Sequence, residues 1–182
     1  SMTTSNDQRV KSIAALREIL NPGDTVFTIL RHASLSGMTQ HVSVIVGECR
    51  DITHYVAHAL DMRRSGRTGG ILIVGCGDVG GRVAGLLKGR VRLLALTSTA
   101  ARVPALRALG VQPLVGNLDR PATVRRLAGI ATRVLHLAPP PSDSTAQWWR
   151  DLRTEALVHA LRRRSLPRSL IYGSTSGVYG DC

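Results

Sequence analysis

The segment Ile71-Leu72-Ile73-Val74-Gly75-Cys76-Gly77-Asp78-Val79-Gly80 constrains the fold of this chain more than any other. Four consecutive apolar residues suit a strand buried on both faces, and a GxGxxG spacing follows without a gap. Val83, Leu86 and Leu87 continue with helical spacing, and Val91 to Leu96 is a second apolar run. Strand, glycine turn, helix and strand therefore follow one another within about 28 residues, the order a dinucleotide-binding βαβ unit requires. In that setting Gly75 permits the tight turn, Gly77 lets the backbone approach a pyrophosphate, and Gly80 allows close helix packing. The amides at the helix start, at Asp78 and Val79, face the anion with partial positive charge. A turn with only a structural task is the competing explanation of the same glycines.

The residues after the second apolar run bear on which dinucleotide is meant. A carboxylate there would bind the adenosine ribose hydroxyls, but the chain has Thr97-Ser98-Thr99-Ala100-Ala101-Arg102. Its absence favours NADP over NAD, with NAD still possible. Thr97 or Ser98 would hydrogen-bond a 2′-phosphate and Arg102 would pair with it, unless Arg102 is simply a solvated residue at a helix start.

The alternation continues downstream. Val103 to Leu109 reads as a helix, Val111 to Val115 as a strand, Ala122 to Leu127 as a helix and Val134 to Leu137 as a strand ending at Ala138-Pro139-Pro140-Pro141. Ala146 to Arg164 reads as a long helix with Trp149, Leu152, Ala156 and Ala160 on one face, and Ser169 to Gly173 as a fifth strand. Such alternation predicts an α/β fold with a doubly wound parallel sheet, Rossmann-like in order. Trp148 and Trp149 are read as packing residues. Arg162-Arg163-Arg164 complements the dipole at a helix end.

Gly75 to Gly80, Gly116-Asn117-Leu118-Asp119, His136-Leu137-Ala138 and Ser174-Thr175-Ser176-Gly177-Val178-Tyr179-Gly180 stand in order at the ends of successive predicted strands. Through these motifs residues 70–182 resemble the extended short-chain dehydrogenase/reductase family, the NAD(P)-dependent epimerase/dehydratases. The resemblance implies that Asn117 and Leu118 lie near the adenine, that Leu137, Ala138 and Pro139 line the cofactor, and that Thr175 takes the place of the catalytic Ser/Thr. That family usually has GxxGxxG, so GxGxxG marks an atypical branch. Its Tyr-x-x-x-Lys pair falls beyond the matched segment, and Tyr179 has no lysine four residues later. The sheet is thus expected to be truncated, the site incomplete, cofactor binding weak, and hydride transfer absent from this polypeptide alone.

Residues 1–66 are expected to form a small αββα unit that packs as a separate domain or lies along the exposed edge of the truncated sheet, joined to residues 67–182 through the polar, glycine-rich stretch Arg63 to Gly70. Val10, Ile13, Leu16, Ile19 and Leu20 have helical spacing; Thr25 to His32 and Val42 to Val46 have strand character, with Ser36-Gly37 between them as a hairpin signal; Asp51 precedes a second helical stripe. His54 and His58 lie one turn apart on the polar face of that helix, where solvated side chains are expected, and no metal is assigned. At Asn21-Pro22-Gly23-Asp24-Thr25-Val26, Leu30-Arg31-His32 and Ser36-Gly37-Met38, residues 10–62 resemble small phage-encoded proteins of unknown function. This implies a mobile-element origin; a protein partner bound through residues 1–66 is one of the functions left open.

Charge is uneven. Residues 1–66 carry seven Lys+Arg against six Asp+Glu, and residues 67–182 seventeen against six, so nearly all of the net +12 lies downstream of the glycine-rich stretch. All but Lys11 and Lys88 of these cations are arginine, which fits either phosphate recognition or coding bias, and the scarcity of aromatic residues argues against a dedicated nucleic-acid surface. The apolar runs are far shorter than a membrane span, and Cys49, Cys76 and Cys182 have no metal-pair spacing. With Ser1-Met2 read as a cloning remnant and no leader pattern, a cytoplasmic protein is expected. Three functions remain open: a dinucleotide-binding relative of an oxidoreductase, a phage-type interaction protein that antagonises a host system, and an arginine-driven nucleic-acid binder.

Overall fold

The computed structural model describes residues 69–138, 150–167 and 169–175, and the backbone of 24–29 and 42–47; at 78, 169, 174 and 175 only the backbone is described. The elements are β1 (Asp24–Ile29), β2 (Val42–Gly47), β3 (Gly70–Val74), α1 (Asp78–Leu87), β4 (Leu93–Thr97), a 3-10 turn (Ala100–Arg102), α2 (Val103–Ala108), β5 (Gln112–Val115), a 3-10 segment (Pro121–Leu127), β6 (Ala131–His136), α3 (Leu152–Leu161) and β7 (Ser169–Thr175). The predicted helices at 10–20 and 51–60, Ser36-Gly37, His54 and His58, Pro139, both tryptophans and 176–182 lie outside the described residues.

Seven parallel strands form one sheet in the order β2-β1-β7-β6-β3-β4-β5. Among β3 to β7 the order is the doubly wound one, with β3 central and the chain returning to its other side at β6. Every residue of β3 and β4 is buried, as the continuous apolar runs predict for strands covered on both faces. Alternate side chains feed two cores. Ile71, Ile73, Ala95 and Leu135 pack with Val79, Val83, Ala84 and Leu87 of α1 and Leu106 of α2. Leu72, Val74, Leu94 and Val134 pack with Val124 and Leu127 of the 3-10 segment and Leu157, Val158 and Leu161 of α3. A fully buried Leu or Ile contributes about 1.5–3 kcal/mol, so these two layers hold the sheet.

Several expectations are corrected. β1 and β2 are not a hairpin: they run parallel in register from Asp24↔Val42 to Ile29↔Gly47. The connection, residues 30–41, is long enough for a crossover, and Val44-Ile45-Val46 is the unbroken apolar run typical of a doubly covered parallel strand. Nor does the sheet end at β7, because β1 pairs with it from Thr25↔Ile171 to Ile29↔Thr175. Strands from both sides of the glycine-rich stretch thus share one sheet. Residues 121–127 are 3-10 rather than α-helical. The helix predicted from Ala146 begins at Leu152, because the Asp151 carboxylate caps it by accepting from the Thr154 N–H at 3.0 Å. Its buried face is carried by Leu157 and Leu161 besides Ala156 and Ala160, and Leu152 is exposed. Leu86 is likewise exposed, and Val79 and Ala84 complete the buried face of α1.

Candidate dinucleotide site

The carboxyl ends of β3 and β6 flank the point where the strand order reverses, the crevice in which open α/β sheets take ligands. Gly75 lies at the floor of this crevice with φ +87°. A Cβ there would stand 2.5 Å from Ala138 N and 2.8 Å from both Ala138 Cα and Leu137 C. The exit of β6 therefore lies directly against the turn, fixed by the Leu137 N–H donating to the Val74 carbonyl at 2.7 Å. Gly77 N–H closes the turn on the Gly75 carbonyl at 2.9 Å, and α1 starts at Asp78 with no side-chain cap. Its first amides have no intrahelical acceptor. Gly77 is exposed, and a Cβ on it would meet nothing within 4 Å. At Gly80 a Cβ would stand 3.2 Å from the Gly75 carbonyl oxygen and from Ile73 Cγ2, so this glycine seats the helix on the strand. Val79 is buried in the core, leaving only its backbone to face the crevice.

Around the turn the other predicted residues divide. Thr97 is buried, and its hydroxyl accepts from the Thr99 N–H at 3.2 Å, an arrangement that occupies it locally. Ser98 is exposed beside it. Arg102 ends the 3-10 turn and is exposed, yet it reaches the glycine turn electrostatically: burial pushes the Cys76 thiol up, and the Arg102 charge partly opposes that. Asn117 shapes the loop after β5. Its Oδ1 accepts from the Asp119 N–H at 2.8 Å and its own N–H donates to Thr123 Oγ1 at 2.8 Å. Leu118 is buried in the core. Asp119 pairs with Arg153 of α3 at 2.9 and 3.1 Å, and the hydrogen bond from that arginine holds its carboxyl below the ordinary value. Leu137 is buried and Ala138 half-buried at the turn. Thr175 ends β7 opposite Ile29, at the same carboxyl edge of the sheet as the glycine turn.

A buried polar chain escaped the sequence reading. His136, the last residue of β6, is wholly buried, and its Nε2 lies 2.8 Å from Thr154 Oγ1. The Thr154 hydroxyl donates to Asp151 Oδ2 at 2.6 Å. Since the carboxylate only accepts, the hydroxyl proton belongs to that contact, and the threonine oxygen is left to accept from His136. The proton of the neutral imidazole is therefore on Nε2. Nδ1 then has a bare lone pair, with no hydrogen-bond partner among the described residues. The Tyr172 ring tilts against the imidazole at 5.4 Å between centroids. Burial drives the His136 pKa down to about 4, with Asp151 pulling the other way. The available signals were a histidine closing an apolar strand and an Asp-x-x-Thr spacing at a helix start.

No known family model matches the chain, and no curated protein matches it. Among the described residues no group of His, Cys, Asp and Glu is arranged to hold a metal ion, and no helix is long and apolar enough to cross a membrane.

Proposed function

We propose that the chain binds a nicotinamide dinucleotide, NADP in preference to NAD, at the carboxyl edge of β3 and β6. The observation that carries this reading is the clear space over Gly77 at the head of α1, with Gly75 pinned against Ala138 beneath it. There the pyrophosphate would take the amides of Asp78, Val79 and Gly80, the adenosine phosphate would meet Ser98 and Arg102, and Asn117 and Leu118 would bound the adenine. Leu137, Ala138 and Pro139 would flank the nicotinamide half. Thr97 contributes chiefly by shaping the strand exit, because its hydroxyl is already engaged. The chemistry proposed resembles that of short-chain dehydrogenases in its binding half, where Thr175, at the carboxyl end of β7, would take the place of the Ser/Thr that orients a substrate oxygen. Lysine occurs only at 11 and 88, and neither follows a tyrosine by four. The 182-residue polypeptide is accordingly proposed to bind without hydride transfer, and weakly, in the millimolar range of about 4 kcal/mol.

Thermal unfolding with NADP, with NAD and without ligand tests this directly, since a ligand that binds only the folded state raises Tm. At about ten times Kd the stabilisation is roughly 1.4 kcal/mol. Gly77→Leu fills the open space and is expected to abolish the shift. A Gly77→Leu protein that still responds to NADP would remove the basis of the reading. Arg102→Ala is expected to bring the NADP and NAD responses together, and an unchanged preference would mean that Arg102 does not contact the 2′-phosphate.

A further inference from the structure

We propose a second anion site, between the 3-10 segment and the end of α3, that holds the phosphodiester backbone of a single-stranded nucleic acid. Arg125 and Arg126, at the end of the 3-10 segment, and Arg163 and Arg164, just beyond α3, line one groove of about 430 Å³ floored by Ala128 and Ile130. A smaller depression of about 90 Å³ adjoins it, shares Arg125 and Arg163, and ends at His159. Among the described residues no carboxylate lines either one.

The helix dipole explains why cations follow α3, and equally why they close the 3-10 segment. It gives no reason for both pairs to converge on one concavity, where like charges repel unless an anion lies between them. Two features hold the walls in place. A Cβ on Gly129 would stand 3.4 Å from Arg164 Cβ and Cδ, so the arginine stem lies across that turn. Arg126 Nη2 donates to the Val115 carbonyl, which ties its guanidinium to the end of β5. Guanidinium forks suit phosphate oxygens, and a track of two joined depressions suits a chain of phosphates better than one ion. The apolar lining of Ala128 and Ile130 accepts a base without reading its edge. Sequence preference is therefore expected to be slight and salt dependence steep.

The full 182-residue protein is titrated into a fluorescein-labelled oligothymidylate of about 20 nucleotides, with anisotropy read between about 50 and 300 mM salt. The joint substitution Arg163→Ala and Arg164→Ala is expected to flatten the slope of log K against log salt by about 1.4, at roughly 0.7 for each phosphate that is no longer neutralised. Arg125→Gln, tested separately, is expected to flatten it by about 0.7, which keeps the test decisive if the double variant folds poorly. The joint control Arg92→Ala and Arg107→Ala removes the same charge elsewhere on the surface and should leave the slope nearly unchanged. Equal loss in the control would reduce the effect to net charge and overturn the site. So would an unaltered slope in the groove variants, or binding of anionic phospholipid vesicles through the same arginines with none of the oligonucleotide. Added NADP, compared with salt of matched ionic strength, is expected to leave oligonucleotide binding intact, so failure of either site is read independently of the other.

Discussion

Gly75→Val is expected to destabilise the protein by about 2–5 kcal/mol, the sum of a left-handed backbone penalty and an overlap with packed main chain. Both contributions act at one position. With φ at +87° an L side chain is strained in itself, and its Cβ would stand 2.5 Å from Ala138 N, a backbone atom with no torsion to yield. The close approach is built into the sheet, since Leu137 donates to the Val74 carbonyl at the last rung between β3 and β6. Gly77→Leu, two residues away, is expected to change stability by no more than about 1 kcal/mol, because that position faces open space. Urea unfolding of the two variants and the parent checks the contrast. Comparable losses at both positions would mean that the turn is not divided into a structural glycine and a ligand-facing one.

Acidification provides the second large effect. In the unfolded chain His136 takes up its proton near pH 6.5, whereas in the fold burial defers protonation to about pH 4. Between those values the unfolded state binds more protons, so stability falls as pH drops through this window and is fully retained above it. The whole effect is on the order of 3 kcal/mol, about half of it reached at pH 5. Protonation also gives Nδ1 a hydrogen with no acceptor among the described residues, while Asp151, one hydroxyl away, moderates the loss. His136→Gln preserves a donor toward Thr154 without a titrating group. Its difference in unfolding free energy between pH 7 and pH 5 should be clearly smaller than the parent's. Identical pH sensitivity in the two proteins would assign the acid response to other groups.

Within residues 70–136 the two central strands announced themselves as short unbroken apolar runs, whereas β5 carries Gln112 and Pro113 and β6 carries Thr132 and Arg133. Ile71–Val74 and Leu93–Leu96 admit burial on two faces and little else, so the α/β class and the place of the glycine turn followed from local pattern. Pairing partners are a different matter. The runs at 25–29 and 42–46 suit strands, but no local spacing names their partners: β1 pairs in parallel with β2 on one side and with β7 on the other. The same holds for the polar chain under α3. Asp151 and Thr154 are visible as a cap spacing, but His136 reaches them from a strand 18 residues earlier, and no periodicity encodes that distance. Thr97 illustrates the remaining gap: its type suits phosphate recognition, while its hydroxyl is spent on the chain two residues on.

The pairing of β1 with β7 makes this protein's assembly order unequal. Thr25 meets Ile171 across 146 positions of chain, whereas Ile71 meets Leu93 across 22. Closing the longer loop costs roughly 1.7 kcal/mol more in chain entropy if nothing between has yet ordered. The five strands from β3 onward pair across no more than 62 positions, from Ile71 to Arg133, and β1 and β2 then dock onto a finished surface. Until they do, β7 is an unpaired parallel edge of seven residues, open to any extended segment that arrives first. A second copy of the chain carries the same β1, so crowded refolding would place exchange of that strand between molecules in direct competition with its return to its own sheet.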